Sequence, residues 1–213
     1  MHPQPDTITT IGRSLIHSGP LNDRVYLMKL DTRDLPWMVT ELARLARERG
    51  LTKICAKVPL QVRSHFLSRG FIQEARVAGM YHARDDGLFV ARFLEKWRSR
   101  PDQGPQQLPP GQHGRGAWYA KARPSGSKVR KMGQDEVQVI AGIFRNQFSA
   151  YPFPIHDPAF LSDCLQTHVC FFGCEVQGKI AALASSEMNR EDGCVEMTDF
   201  VTLPGYQGQG LAT

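Results

Sequence analysis

Hydrophobic and polar positions fall into two series of periodic segments, divided by a stretch that has neither a helical nor a strand period. In the first series Arg24–Leu30 (RVYLMKL) reads as a strand. Pro36–Arg49 reads as a helix, because Met38, Leu42 and Leu45 recur at helical spacing, as do Val39, Ala43 and Ala46. Pro36 stands early in that helix and Gly50 just past its end. Leu51–Val58 reads as a strand, Gln61–Arg69 as a short helix closing at Gly70, and Phe71–Met80 and Leu88–Phe93 as strands. This order predicts an α/β unit over residues 1–96.

The second series opens with a short basic strand, Lys128–Met132. A helix follows from Asp135 to Phe148, with Val137, Ile140, Phe144 and Phe148 on one face. Tyr151-Pro-Phe-Pro-Ile155 must be a loop, since each proline biases the residue before it away from helix. Asp157-Pro158 is an N-cap with proline at the first helical position, which starts a second helix running to about Gln166. Three strands then form an antiparallel meander: Val169–Val176, Ile180–Met188 and Cys194–Leu203. Between the two series, residues 97–127 hold five prolines and five glycines, a density that reads as a linker without regular structure.

Composition narrows the class. At 213 residues, 41% hydrophobic and 22% charged, the chain is neither disordered nor fibrous. Its apolar runs are too short to cross a membrane, and its N-terminus has no signal pattern. Five cysteines without a signal read as reduced thiols, so the expected location is the cytoplasm. The net charge of +5 is uneven: residues 97–131 carry 8 Lys/Arg against 1 Asp/Glu, while residues 132–213 carry 3 against 10. Most of the basic excess thus sits in one short middle segment, 97–131. The acidic last third suits a cationic substrate better than a phosphate backbone, so a nucleic-acid partner is disfavoured and no membrane partner is expected.

Gln207-Gly208-Gln209-Gly210-Leu211-Ala212 directly follows the last strand of the second series. It fits the pattern Gln/Arg-x-x-Gly-x-Gly/Ala. Glycines let successive backbone N–H groups converge on an anion, and a helix beginning after them would add its N-terminal partial charge. In this setting the segment resembles the pyrophosphate loop of the GNAT superfamily of acetyl-CoA-dependent N-acetyltransferases. The strings Tyr151-Pro-Phe-Pro-Ile155, Glu196-Met-Thr-Asp-Phe200 and Thr202-Leu-Pro, together with the α/β unit placed ahead, are similar to the β-lysine N-acetyltransferase family. The resemblance implies an α/β (α+β) fold: a GNAT-type mixed sheet flanked by helices over 128–213, preceded by a smaller α/β unit that could be a degenerate GNAT-like half. It also implies that the domain is incomplete at its C-terminus, with the helix after the loop, further strands and a general-acid tyrosine falling beyond Thr213, which would leave this chain inactive by itself. The implied activity is acetyl transfer from acetyl-CoA to the terminal amine of β-lysine, giving N6-acetyl-β-lysine, a compatible solute. A lysine 2,3-aminomutase is the implied pathway neighbour.

The chemistry asks for particular residues. An alkyl ammonium has a pKa of about 10.4, so near pH 7 about one in 2,500 is neutral, and a base or a water relay must take the proton. The carboxylates on the strand leading to the loop are Glu196 and Asp199. Glu196 is the candidate proton acceptor and Asp199 the candidate partner for a substrate ammonium. Three positions apart, they face opposite sides of a regular strand; a bulge of the kind the resemblance implies would change that parity. Backbone N–H groups near Phe200 and Val201 are candidates to hydrogen-bond the acetyl carbonyl. Gln207, Gly208, Gln209, Gly210, Leu211 and Ala212 are the candidates for holding acetyl-CoA. Tyr151 and Phe153 are candidates for the wall of the acceptor pocket, or else core anchors. Glu187 is a weaker addition to an acidic wall. Cys164, His168, Cys170 and Cys174 lack paired metal-ligand spacing and read as core thiols, so no metal is expected. Two alternatives stay open: another small amine or a protein as acceptor, and a binding module that uses the basic 97–131 segment with Trp118 and Tyr119 beside Lys121 and Arg123.

Overall fold

The computed structural model describes residues 6–100 and 124–211, which divide into two compact units. The first holds the described residues up to 100 together with 150–153 and 191–194; the second holds the remainder. Ala212, Trp118, Tyr119, Lys121, Arg123 and most of the expected linker lie outside the described residues.

The first unit is built on a six-stranded sheet. Its elements are β1 (Thr7–Ile11), β2 (Ser14–Gly19), β3 (Arg24–Lys29), α1 (Trp37–Glu48), β4 (Lys53–Pro59), α2 (Arg63–Leu67), β5 (Ile72–Tyr81) and β6 (Asp85–Phe93). The strand order is β1-β2-β3-β4-β6-β5. Only β3 and β4 run parallel, and α1 is the crossover that lets them do so. The inward stripe of α1 buries Met38, Leu42 and Ala46 against Val25, Leu27, Ile54, Ala56 and Val58, which alternate along β3 and β4. On the opposite face of the same strands runs a row in register: His17, Tyr26, Cys55 and Ala91.

The hairpin of β1 and β2 corrects the sequence reading, which began its strands at Arg24. Its turn is the dipeptide Gly12-Arg13, with Gly12 at φ +63°. Only glycine fits there, because a Cβ would stand 2.7 Å from the carboxylate of Asp34. Buried Asp34 in turn accepts hydrogen bonds from the Arg13 backbone N–H at 2.8 Å and the Ser14 hydroxyl at 2.7 Å. A second correction is small: a 3-10 turn over Lys96–Ser99 enters the stretch expected to be irregular.

The second unit contains β7 (Lys128–Lys131), α3 (Val137–Gln147), α4 (Pro158–Thr167), β8 (Val169–Val176), β9 (Lys179–Asn189) and β10 (Cys194–Thr202). Its four strands lie in the order β10-β9-β8-β7. Helix α4 starts where the sequence indicates: the Asp157 carboxylate accepts from the Ala159 N–H at 2.9 Å, and Pro158 occupies the first turn. Phe144 of α3 packs edge-on against Phe171 of β8, and both are fully buried, which fixes the helical face of the sheet. Arg130 ties β7 to β8 through Glu175 at 2.6 Å and to the turn before α3 through Glu136 at 2.7 Å. The other face of the sheet carries Val129, Phe172, Val195, Met197 and Phe200 around an open apolar cavity of about 410 Å³. No described helix is long and apolar enough to cross a membrane.

Phe144→Ala is expected to remove about 3–5 kcal/mol of stability by leaving a cavity between α3 and β8. Val139→Ala, on the exposed side of the same helix, is expected to change it by no more than about 0.5 kcal/mol. Urea denaturation of the two variants checks the assignment of the buried face; equal losses would contradict it.

Candidate functional site

The last strand does not keep a simple alternation. Val195 and Met197 line the apolar cavity, and so does Phe200, three positions after Met197. A regular strand would turn Phe200 to the other face. The break is at Asp199, whose backbone has φ +52°, a left-handed conformation at which a residue other than glycine needs a local reason. The reason is on the neighbouring strand. The buried Ser185 hydroxyl donates to the Asp199 carboxylate at 2.8 Å. Ser185 stands between Ala184 and Ser186, which line the cavity, so it points to the helical face.

This bulge decides where the two carboxylates go. Glu196 lies between Val195 and Met197 and therefore faces away from the cavity. Asp199, held by Ser185, faces the same way. The structure thus brings Glu196 and Asp199 to one face of the sheet, with Glu196 exposed and Asp199 half-buried. Cys164 of α4 senses the same face. Burial, with the charges of Asp163, Glu187 and Asp199, pushes its thiol up to about 11, so it stays protonated near neutral pH. Glu187 is among the charges that act on Cys164.

Beyond the strand the chain forms a tight loop on the same unit. The Leu203 N–H donates to the Ala181 carbonyl at 2.9 Å and the Tyr206 N–H to the Leu203 carbonyl at 3.0 Å. The Gln207 side-chain amide reaches back to the Thr202 carbonyl at 3.3 Å, and that of Gln209 to the Gly205 carbonyl at 2.9 Å. Leu211 is buried with Cys174, Val176, Ala181 and Ala182 and anchors the far end, with Tyr206 packed beside it. Gly205, Gly208 and Gly210 all have φ near +70 to +90°. A Cβ built at Gly205 or Gly208 would enter open space. The loop therefore fits the group the sequence suggests for it: the backbone is curled, and no side chain crowds the space beside Gly205 and Gly208, where a phosphate can approach. Phe200 is half-exposed and Val201 buried, directly after the bulge.

Tyr151 and Phe153 belong to the first unit. Their ring centroids lie 6.5 Å apart, and Phe153 stacks on the imidazole of His17 at 4.5 Å with the ring planes 18° from parallel. Ser185, the partner of Asp199 in the second unit, and His17, the partner of Phe153 in the first, were both missed by sequence reasoning. Ser185-Ser186 interrupts an otherwise apolar strand, a signal that was there to be read; His17 had none. Among the described residues, no group of three His, Cys, Asp or Glu side chains is arranged to hold a metal ion.

Comparison with known proteins gives the class. The model of the acetyltransferase (GNAT) family matches residues 138–213, the α3-to-loop segment described above. Its members transfer an acetyl group from acetyl-CoA, and the chain is an acyltransferase of this type. Over 209 residues the chain is 30% identical to the β-lysine N(6)-acetyltransferase of Methanococcus maripaludis, spanning 97% of this chain and 76% of that protein. A second β-lysine N(6)-acetyltransferase, from Methanosarcina mazei, is 32% identical over 41% of this chain and 32% of its own length. The chain belongs to the β-lysine N-acetyltransferase family. Among solved structures, a predicted acetyltransferase of Clostridium acetobutylicum with acetyl-CoA aligns at a TM-score of 0.33 and 15% identity, covering 40% of this chain and 66% of that one.

The loop assignment can be tested with a matched control. Gly178, in the β8–β9 turn, has φ +75° and the same open surroundings as Gly208, at φ +72°. Gly208→Val and Gly178→Val should each lose about 1–2 kcal/mol of stability from the strained backbone. Only Gly208→Val should weaken acetyl-CoA binding, by about tenfold or more, because its side chain occupies the phosphate approach. Titration calorimetry showing equal affinity in both variants would refute the assignment.

Proposed function

We propose that the protein acetylates the terminal amine of β-lysine to give N6-acetyl-β-lysine. The observation that carries this reading is the bulge at Asp199, which turns two carboxylates to one face of the strand that leads into the phosphate-binding loop. The names of the two relatives support the choice of acceptor. A substrate with two ammonium groups suits two carboxylates of different exposure.

Acetyl-CoA, when bound, would supply an activated acetyl thioester, whose C–S bond breaks as the amide C–N bond forms, with coenzyme A leaving and taking up a proton to give the free thiol. Gln207, Gly208, Gln209, Gly210, Leu211 and Ala212 would hold its pyrophosphate through backbone N–H groups. The N–H groups of Phe200 and Val201 would orient the acetyl carbonyl. Glu196, exposed and therefore in contact with water, accepts the proton of the terminal ammonium directly or through a water. Asp199, fixed by Ser185, pairs with the second ammonium and thereby sets the register of the acceptor. The product is a neutral amide at one end and a zwitterion at the other, the chemistry of a compatible solute. A lysine 2,3-aminomutase would supply the substrate, and the cytoplasm is the compartment that holds both.

Turnover should therefore favour β-lysine over α-lysine, which differ only in the position of the second amine. Asp199→Asn should raise the KM for β-lysine and erase most of that preference. Glu196→Gln should lower kcat by about a hundredfold, the usual contribution of a positioned base. Steady-state kinetics with both isomers decides the matter: equal turnover of the two by the unmodified enzyme would exclude the β-lysine assignment, and preference for another small amine would redirect it.

A further inference from the structure

The sheet of the first unit ends at β1 on one side and at β5 on the other, so each of these strands has one edge without a strand beside it among the described residues. An open edge is a row of N–H and C=O groups ready to pair with another chain, and folded proteins guard it with charges or bulges. β5 is guarded. It carries Glu74 and Arg76, each in an ion pair, and its register with β6 shifts between Gln73 and Ala75 and again between Val77 and Tyr81. β1 has none of this. Thr7-Ile8-Thr9-Thr10-Ile11 is a run of 5 β-branched residues without a charge or a proline, and it keeps one-to-one register with β2 along its length.

The hairpin turn fixes which backbone groups face outward. A two-residue turn at Gly12-Arg13 makes Ile11 and Ser14 a hydrogen-bonded pair, and the alternation of an antiparallel ladder carries this on to Thr9 with Ile16 and to Thr7 with Ser18. The N–H and C=O of Ile8 and Thr10 therefore point away from β2. Their side chains lie on the face away from α1, with His17, and both residues are exposed, Ile8 by 46%. An identical strand arriving about a two-fold axis pairs only in registers that set outward groups against outward groups. The register centred on Thr9 uses the whole strand: Ile8 and Thr10 exchange bonds with Thr10 and Ile8 of the second copy, Thr9 faces Thr9, and Thr7 faces Ile11. Every facing pair is β-branched, and none sets like charges together. The ends match as well, since the exposed Arg13 at the turn end of one strand comes beside the Asp6 end of the other.

We propose that β1 is a self-association surface: two copies of the protein pair their β1 strands antiparallel about Thr9, joining two six-stranded sheets into one. The partner is a second copy because β1 matches itself in register, in side-chain face and in charge. The contact is confined to one short strand from each copy, so the dimer is weak and concentration-dependent, formed at about 300 μM protein and dissociated at about 1 μM. This inference concerns the first unit alone and holds whatever the acceptor amine is.

Sedimentation equilibrium of the full chain between about 1 and 300 μM tests this, with urea denaturation of each variant to confirm that the fold is kept. Ile8→Lys combined with Thr10→Lys should raise the dimer Kd about tenfold or more, because the charges sit on the pairing edge. Ala75→Lys, on the exposed β5 edge, should leave association unchanged. Thr9→Cys reads the register. A facing pair that shares no hydrogen bond has its Cα atoms about 4.5 Å apart, within disulfide range, so mild oxidation should link two copies through position 9 far faster than in the unmodified protein or in Ile8→Cys. Hydrogen exchange at the Ile8 and Thr10 amides should slow as protein concentration rises. A monomer throughout the range, association lost in Ala75→Lys but kept in the double lysine variant, or faster cross-linking of Ile8→Cys than of Thr9→Cys would each overturn the proposal. So would equal protection of the Ile8 and Thr10 amides at every concentration, which would mean that another segment of the same chain covers the edge.

Discussion

The hydrogen bond from Ser185 to Asp199 is the small constraint on which the arrangement of the acetyltransferase segment turns. A left-handed conformation at an aspartate is disfavoured, by about 1–2 kcal/mol for most residues and by less for Asp and Asn. A partly buried, charge-assisted bond to a hydroxyl on the next strand offsets a cost of that size. Once it is made, three things follow together. Glu196 and Asp199 share a face, Phe200 and Val201 are offset from the strand's earlier alternation, and the chain leaves β10 toward the glycine loop. The apolar side chains Val195, Met197 and Phe200 meanwhile remain on one side, so the parity change does not put a carboxylate against the apolar cavity.

The loop that follows shows a second economy of design. Its two glutamines are spent on its own carbonyls, and its leucine is buried under the sheet. The glycines are left bare outward. Side chains of Gln207, Gln209 and Leu211 thus build the loop from within. An arginine at position 207 would bring its own charge; the neutral Gln207 instead serves as an internal brace.

The periodic parts of this chain were legible because burial alone dictates them. The stripes Met38–Leu42–Leu45 and Ile140–Phe144 mark α1 and α3, and Asp157-Pro158 marks the start of α4 within a residue. The β1–β2 hairpin was missed because its strands are short, and its turn is specified by a distant carboxylate, Asp34, that no local pattern announces. For the site, the sequence supplied the carboxylates and the glycines and raised the bulge as a condition. The Ser185-Ser186 break was visible, but not that its hydroxyl meets Asp199 across two neighbouring strands, nor that an imidazole on a strand far along the chain lies under Phe153. Pairings of that kind are properties of register, and register is settled by the whole sheet.

The membership of the first unit has a consequence for the order of events during synthesis. Its sheet is finished at Phe93, but two of its pieces, residues 150–153 and 191–194, leave the ribosome much later. The second piece is held by the His82 N–H, which donates to the Asp192 carbonyl at 2.6 Å, and by the ion pair of Lys29 with Glu191. Until those segments arrive, His17 and the face around it stay uncovered on an otherwise folded body. Domains generally fold as units and from the N-terminus first. Here the nascent N-terminal body therefore waits with a bare patch, and the closure of long loops that covers it is slow relative to local helix and hairpin formation.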